Sequence, residues 1–168
     1  ILETNRLVLR PFKRSDLDDF YAYAKVWGVG QMAGWLPHQS IKQSQEILEK
    51  FIEGEKTFAI VYKNNHKVIG SIGIENLRNI DEEKLKKLKG RELGFVLSKE
   101  YWGLGIMPEA VKKVIDYLFH DCNLDFITCS YFIDNNQSKR VQEKCGFKFL
   151  KKVILPTQMQ EEKEGNLN

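Results

Sequence analysis

The stretch SKEYWGLGIMPEAVKKVIDYLF, Ser98 to Phe119, decides how the rest of the chain is read. Ala110, Val111, Val114, Ile115, Leu118 and Phe119 recur at i, i+3 and i+4, the apolar face of a helix that packs on a sheet. Gly103 and Gly105 stand directly before that helix, and Pro108 falls in its first turn, where a missing N–H costs nothing. A helix start presents unpaired N–H groups with partial positive charge, and glycine lets an anion approach them, so the pattern fits a receptor for phosphate or pyrophosphate. A sharp strand-to-helix turn would use the same residues. There is no GxxxxGK[ST], and Pro108 stands where a Rossmann fingerprint has its third glycine, which disfavours an ATPase or a dehydrogenase.

On the N-terminal side of this stretch the period changes. RLVLRPF (Arg6 to Phe12) alternates as a half-buried strand, and the segment after Ser15 carries helical spacing at Leu17, Phe20, Tyr21 and Ala24, with Ser15 or Asp16 as cap. GVGQMAGWLP (Gly28 to Pro37) reads as a loop, and Ser40 opens a second helix that ends at Gly54. TFAIVY (Thr57 to Tyr62) and VIGSIGIENL (Val68 to Leu77) form a hairpin, in which Gly70 and Gly73 signal a bulge or a close backbone approach. NIDEEKLKKLKG is a charged loop or a short solvated helix, and RELGFVLS (Arg91 to Ser98) is a fourth strand. Downstream come a strand over Asp125 to Ile133, a helix NQSKRVQEKC stopped by Gly146, and a strand over Phe147 to Leu155. The last residues, QMQEEKEGNLN, have no apolar pattern and read as frayed or disordered.

The 168 residues make one domain by length, 1–168, with no repeat or linker. Three cysteines without metal spacing, no run of signal-peptide or membrane-span character and a net charge of +3 point to a reduced, cytoplasmic protein with no metal, membrane or nucleic-acid partner. Basic residues cluster at Lys84 to Arg91 and at Lys139 to Lys152, as solvated faces or as a surface for a small polyanion.

EYWGLGIMPEA resembles motif A of the GCN5-related N-acetyltransferase (GNAT) superfamily, in which a (Q/R)xxGx(G/A) loop cradles the pyrophosphate of acetyl coenzyme A. RLVLRPF with SDLDDFY, VIGSIGI and NNQSKRVQEKCGF follow in the order of the ribosomal-protein N-terminal acetyltransferase branch, so the resemblance covers about residues 2–155. It implies an α/β chain of α+β type: a mixed, strongly bent central sheet flanked by about four helices, acting as a monomer or homodimer. Glu100 departs from the family's Gln or Arg, which leaves the backbone donors of Trp102, Gly103, Leu104, Gly105, Ile106 and Met107 for the pyrophosphate. A final strand after Pro156 is usual in the family but has no signal in this sequence.

The same resemblance assigns roles for acetyl transfer from acetyl-CoA, the cosubstrate, to a primary amine on a protein N-terminus or a small molecule. Phe95, Val96 and Leu97 of a splayed strand would meet the pantetheine arm, and Gly94 fits a strand bent open. Glu92, in an ExxF context, is the candidate general base, with Glu75 or water as alternatives. Ser138 is the candidate acid or hydrogen-bond donor to the leaving thiolate, Asn135 the pantetheine partner, and Lys139 and Arg140 the phosphate partners. Asn135 and Ser138 are also ordinary helix-start residues. Met32 and Trp35 are expected to line the acceptor side. A catalytically silent acyl-CoA-binding module is the other reading of the same motifs.

Overall fold

The computed structural model describes residues 1–156 and 162–168, and for residues 32, 154–156 and 162–164 it describes the backbone only. The chain order is β1 (Leu2–Glu3), β2 (Leu7–Pro11), α1 (Leu17–Ala24), α2 (Ile41–Gly54), β3 (Thr57–Tyr62), β4 (Lys67–Glu75), α3 (Glu83–Lys86), β5 (Gly90–Leu97), α4 (Ile106–His120), β6 (Phe126–Phe132), α5 (Asn136–Lys144), β7 (Lys151–Pro156) and β8 (Glu162–Leu167). Eight strands form one sheet in the order β1-β2-β3-β4-β5-β6-β8-β7, antiparallel throughout except for the parallel pair β5 and β6.

Alternation along the strands divides the core between the two faces of the sheet. Leu7, Leu9, Ile72 and Leu93 pack with Val111 and Val114 of α4 on one face. Ala59, Val61 and Val68 pack with Phe20 of α1 and Leu48 of α2 on the other. Ser40 caps α2, its hydroxyl accepting from the N–H of Gln43 at 3.2 Å. Asp16 precedes α1 but spends its carboxylate elsewhere, accepting from Arg10 through both oxygens at 2.8 Å and from the N–H of Lys13 at 2.9 Å.

The β3–β4 hairpin carries both features its glycines announce. The register slips between Ile60 and Val61, which leaves Ile69 as the extra residue of a bulge. Gly70 beside it faces β5 so closely that a Cβ there would stand 2.3 Å from the Val96 carbonyl oxygen.

Two readings of the C-terminal part are corrected. The strand expected from Phe147 begins at Lys151, because the N–H of Phe147 is held by the Gln142 carbonyl at 3.0 Å in the turn that closes α5. The end of the chain is not frayed where it is described: Glu162–Leu167 inserts as β8 between β6 and β7, with Gly165 opposite Phe132 and Val153. Residues 157–161 lie outside the described residues. None of the helices among the described residues is long and apolar enough to cross a membrane.

Candidate active site

The sheet opens where β5 and β6 part. Their parallel ladder pairs Gly90 through Leu93 with Phe126 through Cys129 and ends there. From Gly94 onward β5 stays with β4, whereas β6 turns to β8, and the cleft between them is lined by Phe95, Leu97, Tyr131 and Ser138 among others. The hinge is therefore at Gly94, the glycine that breaks the fourth strand's apolar run.

Backbone groups of successive strand residues point to opposite sides. The Leu93 carbonyl accepts from the Cys129 thiol at 3.2 Å and the Leu97 carbonyl accepts from the Trp102 indole at 2.8 Å, so both face the opening. Phe95, between them, turns its N–H and C=O the same way, past the end of the ladder. Val96 turns its carbonyl to β4, as the contact with Gly70 shows. Of the three residues expected to meet a pantetheine arm, all line the cleft; Phe95 and Leu97 turn their backbone groups to the opening, where the Leu97 carbonyl is already held by Trp102, and Val96 turns its own to β4.

The glycine stretch stands at the mouth of this cleft. Gly103 (φ +77°) and Gly105 (φ +74°) are both left-handed, a conformation that costs other residues about 1–2 kcal/mol. Glu109 N to Gly105 O, 3.3 Å, is the first hydrogen bond of α4, and the N–H groups of Gly103 through Met107 have no acceptor among the described residues. This run begins one residue later than expected. The N–H of Trp102 is bonded to the Lys99 carbonyl at 3.2 Å by the short turn before it. The side chains of Ile106 and Met107 are buried in the core, so their contribution is the backbone alone. Five free donors around two glycines suit an elongated anion.

Glu92 lies on the opposite wall. Its side chain is 3 % exposed. Oε2 accepts from the Nε of Arg78 at 2.9 Å and from its Nη2, while Oε1 has no partner among the described residues. Burial raises the proton affinity of this carboxyl, Arg78 opposes that, and the charge of Glu75, directly across the β4–β5 ladder, adds to it. The hydroxyl of Thr128, opposite Glu92 on β6, is likewise buried without a partner. Glu75, Arg78 and Glu92 all line the cleft.

Asn135 caps α5, its Oδ1 accepting from the Ser138 N–H at 3.0 Å, so the ordinary reading of that asparagine holds whatever else it does. The Ser138 Oγ accepts from Gln142 at 3.2 Å, which leaves its own hydrogen free to donate into the cleft. Lys139 and Arg140 follow on the exposed face of the same turn. Trp35 is placed differently from expectation. Its ring packs 5.2 Å from that of His38 and over Gly30, within the α1–α2 layer, and Val29 and Ala33 line the cleft instead. The Met32 side chain lies outside the described part of the structure. Arg78 and Thr128 went unseen in the sequence: a lone loop arginine and a strand threonine acquire meaning only when the register sets them beside Glu92.

A mixed sheet that parts between its two parallel strands, with a glycine-lined helix start at the mouth of the gap, suits a transferase that takes an acyl-coenzyme A. The model of the acetyltransferase (GNAT) domain family matches residues 6–148, and the chain belongs to that family. It is 30 % identical over 152 residues to the uncharacterized N-acetyltransferase p20 of Bacillus licheniformis, covering 87 % of this chain and 81 % of that protein. The ribosomal-protein-S5-alanine acetyltransferase of Vibrio fischeri superposes with a TM-score of 0.71 at 25 % identity, over 99 % of this chain and 94 % of that one. The spermidine N-acetyltransferase of Vibrio cholerae, solved with CoA and spermine, shares the fold with a TM-score of 0.73 at 19 % identity, over 97 % of this chain and 95 % of that one. The protein is an N-acetyltransferase, and acetyl-CoA is its cosubstrate.

Proposed function

We propose that the acceptor is a primary amine presented to Glu92, with the α-amine of a protein N-terminus the favoured class and a small-molecule amine the other. The observation that carries this is the buried Glu92 carboxylate, which lines the same cleft as Ser138 and has one oxygen without a hydrogen-bond partner among the described residues. The likeness to a ribosomal-protein-S5-alanine acetyltransferase favours the peptide acceptor.

In this reading the pyrophosphate lies on the free N–H groups of Gly103 through Met107. Lys139 and Arg140, which make no ion pair among the described residues, flank the phosphates. The pantetheine arm runs along Phe95 and Leu97, and the Phe95 N–H donates to the thioester carbonyl as charge develops on its oxygen. The amine nitrogen forms a bond to the acetyl carbon and the carbon–sulfur bond breaks. The amine proton passes to Glu92 Oε1, directly or through water, and the departing thiolate accepts a hydrogen bond from the Ser138 hydroxyl and takes its proton from solvent.

A panel of peptides and small amines with acetyl-CoA, read as release of free thiol, tests the acceptor. Turnover with peptides bearing a free N-terminus and none with their N-blocked forms is expected; binding of coenzyme A without turnover on any amine would sink the assignment. Acetyl-CoA should also raise the thermal midpoint by mass action on the folded state. Gly103→Val puts a side chain into the open space before the loop, where nothing lies within 4 Å of a Cβ, and should remove that rise; an unchanged rise would move the pyrophosphate elsewhere.

A further inference from the structure

The glycine loop lacks a cation of its own at the position the family's motif provides for one. Glu100 is exposed there and lines a separate groove with Asp19, Lys67 and Tyr101. A second carboxylate, Glu109, sits in the first turn of α4, beside donors that must receive an anion. Taken alone, both charges oppose pyrophosphate binding.

Arg6 answers both. It belongs to the turn between β1 and β2, about a hundred residues away in sequence, and its backbone N–H and Nε donate to the two oxygens of Glu109 at 3.1 and 2.8 Å. Thr4 donates its hydroxyl to the same carboxylate, and the N–H of Leu7 is bonded to Thr4 Oγ1 at 3.0 Å, so the whole turn is fastened to the helix start. Burial works against the charge of Glu109, but the Thr4 hydroxyl and the Arg6 guanidinium hold the carboxyl below its ordinary range. Arg6 Nη1 donates to the Leu104 carbonyl at 2.9 Å, the peptide between the two glycines. A Cβ on Gly105 would stand 3.7 Å from Nη2, which has no acceptor among the described residues.

We infer that Arg6 both binds and positions the coenzyme A pyrophosphate: it neutralises Glu109, fixes the Leu104 carbonyl and supplies, through Nη2, the cation that Glu100 does not. The inference rests on the pyrophosphate loop proposed above. A carbonyl held by a guanidinium cannot rotate into the anion site, so the amides of the loop stay turned outward. With Arg6 removed, Glu109 becomes an unpaired negative charge at the site, and loss is expected in donor binding, not in chemistry.

The test compares two acetyl donors, acetyl-CoA and S-acetyl-N-acetylcysteamine, which has the thioester but no phosphate. For Arg6→Ala, the acetyl-CoA KM and the calorimetric Kd of coenzyme A should rise about tenfold or more, as for loss of a charge-assisted contact, with kcat within about twofold. The KM of the phosphate-free donor should move by less than about twofold. Arg6→Lys should recover part of the loss. An unchanged Kd in Arg6→Ala, or an equal loss with both donors, would each overturn the role. If the parent protein itself fails to bind coenzyme A, the loop assignment falls and Arg6 with it; if only the Arg6 comparison fails, the loop stands.

Discussion

Glu92 shows how little a strand carboxylate says until its neighbours are known. In sequence it is one of four residues of an ExxF pattern; in the fold it is buried beside Arg78, with Glu75 and Thr128 directly across on the flanking strands. In the proposed base role only its ionised form takes an amine proton, so activity is expected to fall as the pH drops through its folded pKa. Burial lifts that value above the ordinary 4.5, and the acidic limb of the kcat/KM profile should lie correspondingly higher. Arg78→Gln removes the one opposing influence and should move that limb further up, a shift read from the pH profile with peptide acceptor. Glu92→Gln should lower kcat by about 10²–10⁴-fold, the usual size of a general-base contribution. It should also retain the acetyl-CoA thermal shift, because the pyrophosphate loop is not touched. A variant that keeps full turnover would hand the role to Glu75 or to water.

At the scale of elements, the two devices that build the site are glycines: Gly94 inside β5, where that strand leaves β6, and the Gly103–Gly105 pair at the start of α4. Both were legible, since a glycine inside an apolar strand and a pair before an amphipathic helix are local signals. The α1–α2 layer was less so. His38 reads as a loop histidine, yet it is 8 % exposed, its Nδ1 lies 2.6 Å from the Ser44 hydroxyl, and its ring packs against Phe20 and Trp35. Burial lowers its pKa below 6.5. A lowered histidine pKa means the unfolded chain binds the proton first, so its contribution to stability is complete above about 6.5 and is lost as the pH falls towards the folded value. His38→Asn should reduce the midpoint at pH 8 and flatten its decline between about pH 6.5 and 5, measured by thermal unfolding without ligand. An identical decline in both proteins would show that the ring does not titrate with folding.

For the molecule as a whole, the decisive element is the one with the weakest signal. EKEGNL has no alternation of apolar residues, yet as β8 it joins β6 to β7, and the Cys129–Asn168 pair extends its ladder with two bonds of 2.7 Å. Leu167 is fully buried, and Asn168 donates to the buried Gln142 of α5 at 2.7 Å, tying the chain end to the helix that bears Ser138. Leu167→Ala should cost about 2–5 kcal/mol in denaturant unfolding, the range for truncating a buried leucine. A loss below about 0.5 kcal/mol would mean that β8 adds little to the fold.

The sequence by itself determined the family, the order of most elements, the glycine loop and the candidates Glu92 and Ser138, because each is written in local spacing that needs no partner to be recognised. The tertiary structure alone decided which backbone donors are free, that the Trp35 ring packs in the α1–α2 layer and the Val96 carbonyl faces β4, and that Arg78 and Thr128 stand beside Glu92 and Arg6 beside Glu109. It also decided that the polar chain end is a strand. Those outcomes depend on strand register, on competition for backbone hydrogen bonds and on charges brought together from distant parts of the chain, and none of these leaves a periodic trace in the sequence.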